Sequence, residues 1–359
     1  MLKVRIRKNL PGFNLDVAFA VNQEILAVIG PSGSGKTMTM LCIAGLIQPD
    51  EGYIRLNSKV LYDSDSGLNL PPQQRRVGFV FQNYALFPHL TVRDNIAFGI
   101  RHLSRQEVED RVWRLLDKMH IQELGHRYPR QLSAGQQQRV ALGRALAPEP
   151  EVLLMDEPFS ALDTYVKEQL ERELLALQHF YQGNILFVTH DLSEGYKLSS
   201  KIAVYESGRI LQCDSKQQVI AAPANRAVAR LTGVRNLMAG AVVEIEDSSV
   251  WVAVPELGGR LRVTIRDAAQ LAIDQQVTIG IRAEYVQVAD HLDENTFLGK
   301  VSQAVEGVAS INYSVRVHGT ATAGHDLEAS LSKSEAPPIP IGQSCYLRLP
   351  PDRLCMIGG

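Results

Sequence analysis

The sequence has no apolar run that approaches the roughly 18–20 residues needed to span a bilayer. Its first eight residues, Met1–Lys8, alternate apolar and basic side chains as a strand does. They lack the apolar centre of a signal peptide. We therefore expect a cytosolic protein that reaches a membrane only through a partner protein.

A strong charge of either sign is also missing, because 37 Lys and Arg residues face 39 Asp and Glu residues and the net charge is −2. This balance argues against nucleic acid as the main partner, since a phosphate backbone calls for a basic face. The length of 359 residues indicates two or three domains. The cysteines are far apart, without paired metal-ligand spacing, which is typical of reduced thiols in the cytosol. They are Cys42, Cys213, Cys345 and Cys355.

A glycine-rich stretch follows the apolar run Ile25–Ile29 and precedes a predicted helix over Met38–Ala44. A phosphate-binding loop needs this order of strand, loop and helix, because the loop N–H groups and the helix N-terminus face the anion. In this interpretation Lys36 reaches the β- and γ-phosphates and the Thr37 hydroxyl holds Mg²⁺. A chance glycine–serine turn is the alternative. The stretch consists of Gly30, Pro31, Ser32, Gly33, Ser34, Gly35, Lys36 and Thr37.

Three further predicted strands end in polar side chains: Gln82, the pair Asp156 and Glu157, and His190. Ligands bind at the carboxyl ends of strands in α/β sheets. Adjacent carboxylates are costly there unless a cation, water or a reaction needs them. Asp156 is therefore interpreted as a Mg²⁺ ligand and Glu157 as the residue that polarises an attacking water. Gln82 would coordinate Mg²⁺ or order that water, and His190 would contact the γ-phosphate. Ordinary structural roles stay open for these two.

Two helices are predicted between Gln82 and the acidic pair. Residues 104–124 carry an apolar stripe with helical spacing, which is interpreted as core. The second helix runs from Ser133 through Ala147, and Ser133 is a natural N-cap with Gln136 three residues on. The same helix end presents a hydroxyl and free amides to a phosphate, so capping and phosphate binding both stay open.

After about Gly233 the strand–helix alternation gives way to short β-rich runs with glycine turns, which favour small barrels. Asn236–Val242 resembles Asn295–Val301, and Gly280–Val286 resembles Leu347–Leu354. Such similarity indicates an internal repeat. We therefore predict two OB-like barrels in this part of the chain.

Taken in order, these segments resemble the ATP-binding subunits of ABC transporters over roughly the first 230 residues. The matching motifs are Gly30–Thr37 (Walker A), Gln82 (Q-loop), Leu132–Gln136 (signature), Val152–Glu157 (Walker B), Ser160–Asp163 (D-loop) and His190 (switch histidine). The tail resembles the TOBE or Mop-like region of importer ATPases. The resemblance implies an α/β P-loop ATPase domain over residues 1–233, with a helical subdomain at about 83–147. An all-β, OB-like regulatory domain over residues 234–359 would follow.

The resemblance also implies ATP and Mg²⁺ as cofactors and assigns the site residues. Catalytic roles fall to Glu157, His190 and Gln82. Metal binding falls to Thr37, Gln82 and Asp156. Nucleotide binding falls to Gly30, Pro31, Ser32, Gly33, Ser34, Gly35, Lys36, Thr37, Ser133, Gly135, Gln136, Asp163 and Phe13.

Three features depart from the family pattern. Ala134 replaces the usual signature glycine, which should leave the Ser133 and Gly135 contacts in place but fits a slower ATPase. Either Phe13 or Leu10 occupies the place of the adenine-stacking aromatic. Mop-like molybdate sites resemble Ser-Ala-Arg-Asn with a lysine before a glycine turn. The tail has Val-Arg-Asn at 234–236 and Glu-Gly at 306–307 instead, and a glutamate would repel an oxyanion.

Segments of the stretch Lys59–Gln82 are similar to molybdate importer ATPases. Asn83–His89 is similar to them as well, but sulfate, iron and polyamine relatives share that part. Molybdate is therefore the leading solute, with sulfate or thiosulfate, iron(III) and polyamines as alternatives. Two rivals come from other classes. A soluble ABC ATPase acting on DNA or ribosomes would carry a coiled-coil insertion or a second ATPase unit. A P-loop kinase would leave the signature at Ser133 without a role.

The resemblance implies several partners. A second copy of the chain would form a head-to-tail dimer that holds two ATP molecules. Transmembrane permease subunits would bind the dimer, and a solute-binding protein would act indirectly through them. The expected place is therefore the cytoplasmic face of the cell membrane, as a peripheral protein.

Overall fold

The computed structural model describes residues 1–160, 162–177, 181–265, 271–317, 325–334 and 338–358. The chain forms two compact units, Met1–Lys216 and Gln217–Gly359. The boundary expected from the sequence, at 233/234, differs from this division by the segment 217–233. This segment lies in the second unit, where Ala229 packs with Val234 and Ile357.

The first unit is built on an eleven-stranded sheet with the order β6-β5-β4-β1-β2-β11-β10-β3-β9-β8-β7. The strands from β10 to β7 are mutually parallel, and those from β6 to β2 are antiparallel. The strands are β1 (Leu2–Leu10), β2 (Phe13–Val21), β3 (Ile25–Ile29), β4 (Glu51–Leu56), β5 (Lys59–Asp63), β6 (Leu68–Asn69), β7 (Val77–Val80), β8 (Val152–Asp156), β9 (Asn184–Thr189), β10 (Lys201–Glu206) and β11 (Arg209–Ser215).

Burial separates the two halves of this sheet. Every residue of β3, β8 and β9 is buried, as expected for parallel strands that are covered on both faces. Buried and exposed residues alternate along most of β1 and β2, so one face of this hairpin packs on the core and the other meets water. The parallel half therefore brings the carboxyl ends of β3, β7, β8 and β9 to one edge.

The helices of the first unit are α1 (Lys36–Ala44), α2 (Val92–Ala97), α3 (Arg105–Lys118), α4 (Ala134–Leu146), α5 (Thr164–Leu177) and α6 (Leu192–Leu198). Helices α2, α3 and α4 lie between β7 and β8 in the chain. The apolar stripe predicted for residues 104–124 is buried at Val112, Leu115, Leu116 and Met119. Among the described residues, no helix combines the length and apolarity that crossing a membrane requires.

Two short helices come first, α7 (Lys216–Ala221), which begins at the last residue of the first unit, and α8 (Arg226–Leu231). In the part of the second unit that the structure describes, they are followed by strands and short 3-10 turns only. Two five-stranded antiparallel sheets pack around a common core, in the orders β14-β13-β12-β15-β21 and β16-β20-β17-β18-β19. The strands are β12 (Asn236–Ile245), β13 (Ser249–Val254), β14 (Gly259–Thr264), β15 (Gln276–Ile281), β16 (Gln287–Ala289), β17 (Thr296–Glu306), β18 (Ser310–Val317), β19 (His325–Ser332), β20 (Ser344–Arg348) and β21 (Cys355–Gly358).

The two sheets repeat one pattern and exchange their last strands. In each repeat the first strand pairs with the second and fourth, and the second with the third. The fifth strand of each repeat crosses over, since β16 pairs with β20 and β21 pairs with β15. Asn236 and Asn295 begin the two repeats, and each buries its side-chain amide against backbone groups of the opposite repeat. The internal similarity of the sequence thus corresponds to two interlocked five-stranded sheets.

Candidate nucleotide-hydrolysis site

The glycine-rich stretch forms a tight loop between β3 and α1. A Cβ atom at Gly30 would lie 2.3 Å from the carbonyl oxygen of Tyr205. Gly35 has φ of 99° and precedes α1, and a Cβ atom there would lie 2.7 Å from the Cδ1 atom of Leu15. Only glycine fits at these two positions, so the sequence of the loop follows from how closely the backbone packs.

The loop borders a cavity of about 330 Å³ that Phe13, Glu157 and residues 32–38 line. Lys36 Nζ donates hydrogen bonds of 2.8 Å to the carbonyl oxygens of Gly30 and Pro31. Burial lowers the pKa of Lys36, while Glu157 and Asp156 oppose that shift. Of the two candidates for stacking on adenine, the structure places Phe13 at this cavity.

Thr37 and Asp156 form an oxygen pair beside the loop. The Thr37 hydroxyl donates to Asp156 Oδ1 at 3.0 Å, and the carboxylate is 7% exposed at the end of β8. Burial raises the pKa of Asp156, and the Thr37 hydrogen bond only partly offsets this effect. A hydroxyl and a carboxylate are the hard oxygen ligands that suit Mg²⁺, which binds through few protein groups. The described residues contain no cluster of three or more His, Cys, Asp or Glu side chains suited to a metal.

Glu157 lies at the centre of the polar side chains that end the strands. Gln82 Nε2 donates to Glu157 Oε2 at 3.1 Å, and His190 Nδ1 lies 3.8 Å from the same oxygen. The backbone of Glu157 adopts φ of 45°, and its N–H donates to the Val188 carbonyl at 3.1 Å. A positive φ at a non-glycine residue strains the backbone, and residues with such strain are common at active sites. The ends of β7, β8 and β9 thus bring together the three predicted catalytic side chains.

The signature residues lie at the start of α4. Ser133 and Gln136 form a capping box, with Ser133 Oγ accepting from Gln136 N at 3.3 Å and Gln136 Oε1 accepting from Ser133 N at 3.0 Å. Ser133 is exposed, whereas Gly135 is buried. A Cβ atom at Gly135 would lie 2.6 Å from Val166 Cγ1 in α5. In this chain Ser133, Gly135 and Gln136 are not among the residues that line the cavity beside the loop.

The D-loop segment joins Glu157 to α5. Ser160 Oγ donates to the Glu157 carbonyl at 3.0 Å. Asp163 Oδ1 accepts from Val166 N at 3.0 Å and so caps the first turn of α5. Asp163 is exposed and is absent from the described lining of the cavity, and Ala161 lies outside the described residues.

Comparison with known proteins identifies the family. A sequence profile described as ABC transporter matches residues 15–160. The spermidine/putrescine import ATP-binding protein PotA of Oleidesulfovibrio alaskensis is 36% identical over 309 residues, which cover 85% of this chain and 80% of that protein. This chain belongs to the import-type ABC transporter ATPases. It is therefore an enzyme that hydrolyses ATP.

Other relatives of this import ATPase differ in the solute that they are named for. The molybdate/tungstate import ATP-binding protein WtpC of Pyrococcus abyssi is 35% identical over 316 residues, covering 86% of this chain and 90% of that protein. The sulfate/thiosulfate import ATP-binding protein CysA of Vibrio cholerae is 46% identical over 223 residues, covering 60% of this chain and 58% of that protein. Membership of the import-type family rules out the two rival functions considered from the sequence, a P-loop kinase and a soluble ABC ATPase acting on DNA or ribosomes.

A solved structure supports the same fold for part of this import ATPase. The dimeric ATP-binding cassette MJ0796, in a post-hydrolysis state with ADP and Pi, superposes with a TM-score of 0.52. It is 29% identical and covers 60% of this chain and 99% of that cassette.

Sequence reasoning missed a buried arginine that holds the C-terminal end of α1, the helix that follows the phosphate loop. Arg75 is 0% exposed in this import ATPase. Its guanidinium donates to the carbonyls of Leu70 and Cys42, each at 2.8 Å, and so closes the C-terminal end of α1. The residue that follows α1 is Gly45, and a Cβ atom at this position would lie only 2.5 Å from Arg75 Nε. The buried arginine therefore requires glycine here. The sequence offers no signal for this role, because an arginine two residues before a strand, here β7, is ordinarily exposed.

Proposed function

We propose that this import ATPase hydrolyses ATP at the cavity beside residues 30–37, with Glu157 as the group that polarises the attacking water. The observation that carries this proposal is the meeting of Gln82 and His190 at one oxygen of Glu157. A carboxylate between an amide donor and an imidazole can accept a proton while both neighbours hold the water and the γ-phosphate. Such a site works by positioning and charge neutralisation around the transferred phosphoryl group.

The remaining groups bind the nucleotide. Lys36 would exchange its two carbonyl partners for the β- and γ-phosphates, whose charge also reverses the loss of proton affinity that burial causes. Phe13 would stack on adenine. Thr37 and Asp156, with Gln82, would hold Mg²⁺, which supplies positive charge next to the phosphates.

We further propose that the working unit is a head-to-tail dimer. Within one chain the exposed Ser133 and the cavity beside the loop are separate features. A second copy of the chain would bring Ser133, Gly135 and Gln136 to the phosphates bound at Lys36, and Asp163 to the same interface. Symmetric pairing of identical chains then yields two equivalent sites.

This proposal is tested with the Glu157→Gln variant. It should keep ATP binding, lose ATP hydrolysis by about 10²–10⁴-fold, and form a stable dimer with ATP in analytical ultracentrifugation. The added substitution Ser133→Arg should return that variant to a monomer, because a long cationic side chain would fill the proposed contact. A Glu157→Gln protein that stays monomeric with saturating ATP would contradict the assignment of Glu157 and the dimer.

For the solute we propose molybdate, imported through a membrane permease. The stretch 59–82 and the coverage of the molybdate/tungstate relative support this proposal. Polyamine and sulfate import remain the competing functions, because the names of other relatives support them. The enzyme would then be a peripheral protein at the cytoplasmic face of the membrane, and the solute-binding protein would act on it through the permease.

Transport by the chain reconstituted with its permease in vesicles would test the solute. Molybdate should stimulate ATP hydrolysis and accumulate inside, whereas sulfate, iron(III) and spermidine should do neither. Stimulation by spermidine alone would overturn the molybdate proposal and leave the ATPase proposal intact.

We propose that residues 234–359, which make up most of the second unit, form a regulatory domain of the TOBE type. Its cavity of about 430 Å³ is bordered by Arg235, Glu284 and Glu328, and Arg235 pairs with Glu328 at 3.2 Å. An oxyanion would have to compete with Glu328 for the arginine and lie near a second carboxylate. We therefore expect this cavity not to bind molybdate, and titration calorimetry of the full chain with molybdate would test that.

A further inference from the structure

The segment that follows Gln82 is held in place by an arginine from the signature helix. Arg144 lies in the last turn of α4. Its Nη2 donates to the carbonyl oxygen of Tyr84 and its Nη1 to that of Ala85, each at 2.7 Å. The same guanidinium lies over the ring of Phe87, 5.3 Å from the ring centroid. One side chain of α4 therefore contacts Tyr84, Ala85 and Phe87, which follow shortly after Gln82 in the chain.

The backbone that accepts hydrogen bonds from Arg144 has unusual φ angles. Tyr84 and Ala85 have φ of 61° and 46°, and neither residue is a glycine. Two successive residues in the left-handed region turn their carbonyl groups in directions that the usual conformations do not allow. Both carbonyls point at the planar fork of Arg144, which matches a pair of oxygen atoms as the single ammonium of lysine does not.

The other half of the segment is anchored separately. Asn95 in α2 is 0% exposed, accepts from the N–H of Phe87 and donates to the carbonyls of Phe87, Leu90 and Thr91. Arg144 thus controls the part of the segment nearest to Gln82, and Asn95 controls the part farther from it.

We propose that Arg144 is a positioning residue for Gln82, and that it ties Gln82 to the helix that carries Ser133. Arg144 follows Ser133 by eleven residues along α4, so the two residues are about 16 Å apart on one rigid helix. A displacement of Ser133 then reaches the amide of Gln82, which contacts Glu157 at 3.1 Å. This inference rests on the proposed role of Gln82 in hydrolysis.

A double-mutant cycle on the full-length chain tests the inference. Arg144→Lys keeps the positive charge but removes the guanidinium group that donates to two carbonyls at once. One of the two hydrogen bonds to Tyr84 and Ala85 is therefore lost. We expect kcat for ATP hydrolysis to fall about tenfold, the value for one lost hydrogen bond to a charged group, while KM for ATP stays within about twofold. In a Gln82→Ala background the same substitution should lower kcat no further, because the group that it positions is gone.

Arg111→Lys is the matched control. Arg111 also donates to a backbone carbonyl, that of Ala147 at 3.1 Å, and pairs with Glu149, but it lies on α3 and is remote in sequence from Gln82. This variant should leave kcat unchanged in either background. Thermal melts of all variants show whether each chain is folded.

Three outcomes separate the claims. A tenfold loss that disappears in the Gln82→Ala background supports the positioning role. An equal loss in both backgrounds overturns that role and leaves the proposed function standing. A Gln82→Ala chain with normal kcat overturns the role of Gln82 in hydrolysis and, with it, the positioning by Arg144.

Discussion

At the scale of single residues, this import ATPase keeps charges where burial opposes them. Asp156 is 7% exposed, and loss of hydration raises its pKa. A carboxyl group with a raised pKa binds its proton more tightly in the folded chain than in the unfolded chain. Its contribution to stability is therefore present at low pH and lost as the pH rises through the folded pKa. At neutral pH the ionised carboxylate lowers the stability of the nucleotide-free protein.

Asp156→Asn should therefore stabilise the protein while it abolishes Mg²⁺-dependent hydrolysis. At pH 7 and without nucleotide, the thermal midpoint should rise by about 2–4 °C for each 1 kcal/mol gained. The gain should shrink as the pH falls through the raised pKa of Asp156, below which the side chain is itself protonated. Asp110→Asn, at an exposed carboxylate on α3, should not change the midpoint. A lower midpoint for Asp156→Asn at pH 7 would refute the burial argument.

Residue roles differ in how far the sequence can predict them. The structure brings Gln82, Glu157 and His190 together because parallel strands present their carboxyl ends at one edge, a rule that needs no coordinates. Arg75 and Arg144 bind backbone carbonyls whose directions depend on local φ angles. The pattern of residues in a sequence does not specify individual φ angles. The contacts of Arg75 and Arg144 therefore could not be predicted.

At the scale of elements, the packing of α4 on α5 fixes a glycine within the signature. Alanine favours a helix over glycine by about 1 kcal/mol, but a Cβ atom at Gly135 would lie 2.6 Å from Val166 Cγ1. That distance is far inside van der Waals contact, and overpacking of this kind costs about 1–3 kcal/mol. The clash therefore outweighs the helix preference.

Gly135→Ala should lower the unfolding free energy of the nucleotide-free protein by about 1–2 kcal/mol. Val166→Ala in the same chain should restore most of this loss, since it removes the methyl group that the new Cβ meets. Urea unfolding of both single variants and the double variant measures the coupling. Losses that simply add would show that the two side chains do not meet.

The exchanged strands of the second unit make a prediction about distant elements. Strand β21 pairs with β15 in the first sheet, although it follows β20 of the second sheet in the chain. Removing residues 355–359 should therefore expose the edge of β15 to hydrogen exchange and leave the amides between β20 and β17 protected. Mass spectrometry of peptides from both strands measures this. Faster exchange in β20 with β15 unchanged would contradict the strand order.

The sequence predicts the individual strands of this unit well but not their partners. Among the β-rich runs that the sequence shows after Gly233, those at residues 240–245, 250–254 and 310–317 all lie within strands of the structure. Their alternation of buried and exposed residues specifies a strand and a face. It does not specify whether β16 and β21 return to their own sheet or cross to the other one, because either arrangement buries the same apolar faces.

At the scale of the whole molecule, the two units should separate in function. The first contains the phosphate loop and the Glu157 cluster, and the second contains neither. A chain that ends at residue 216 should still hydrolyse ATP but lose any regulation by the second unit. A chain that ends at residue 233 should also hydrolyse ATP. Its thermal midpoint should be lower than that of the full chain, because Ala229 of α8 would lose its packing against Ile357. A folded 1–216 chain with no ATP hydrolysis would contradict this division of labour.

The central claim is that two copies of the chain complete each site. A crystal structure of the full chain with Mg²⁺ and a nonhydrolysable ATP analogue tests it most directly. We predict that the triphosphate lies on the loop at Lys36 of one copy and that Ser133 of the second copy contacts the γ-phosphate. A triphosphate bound away from Lys36, or one bound there with Ser133 of both copies facing solvent, would contradict the account.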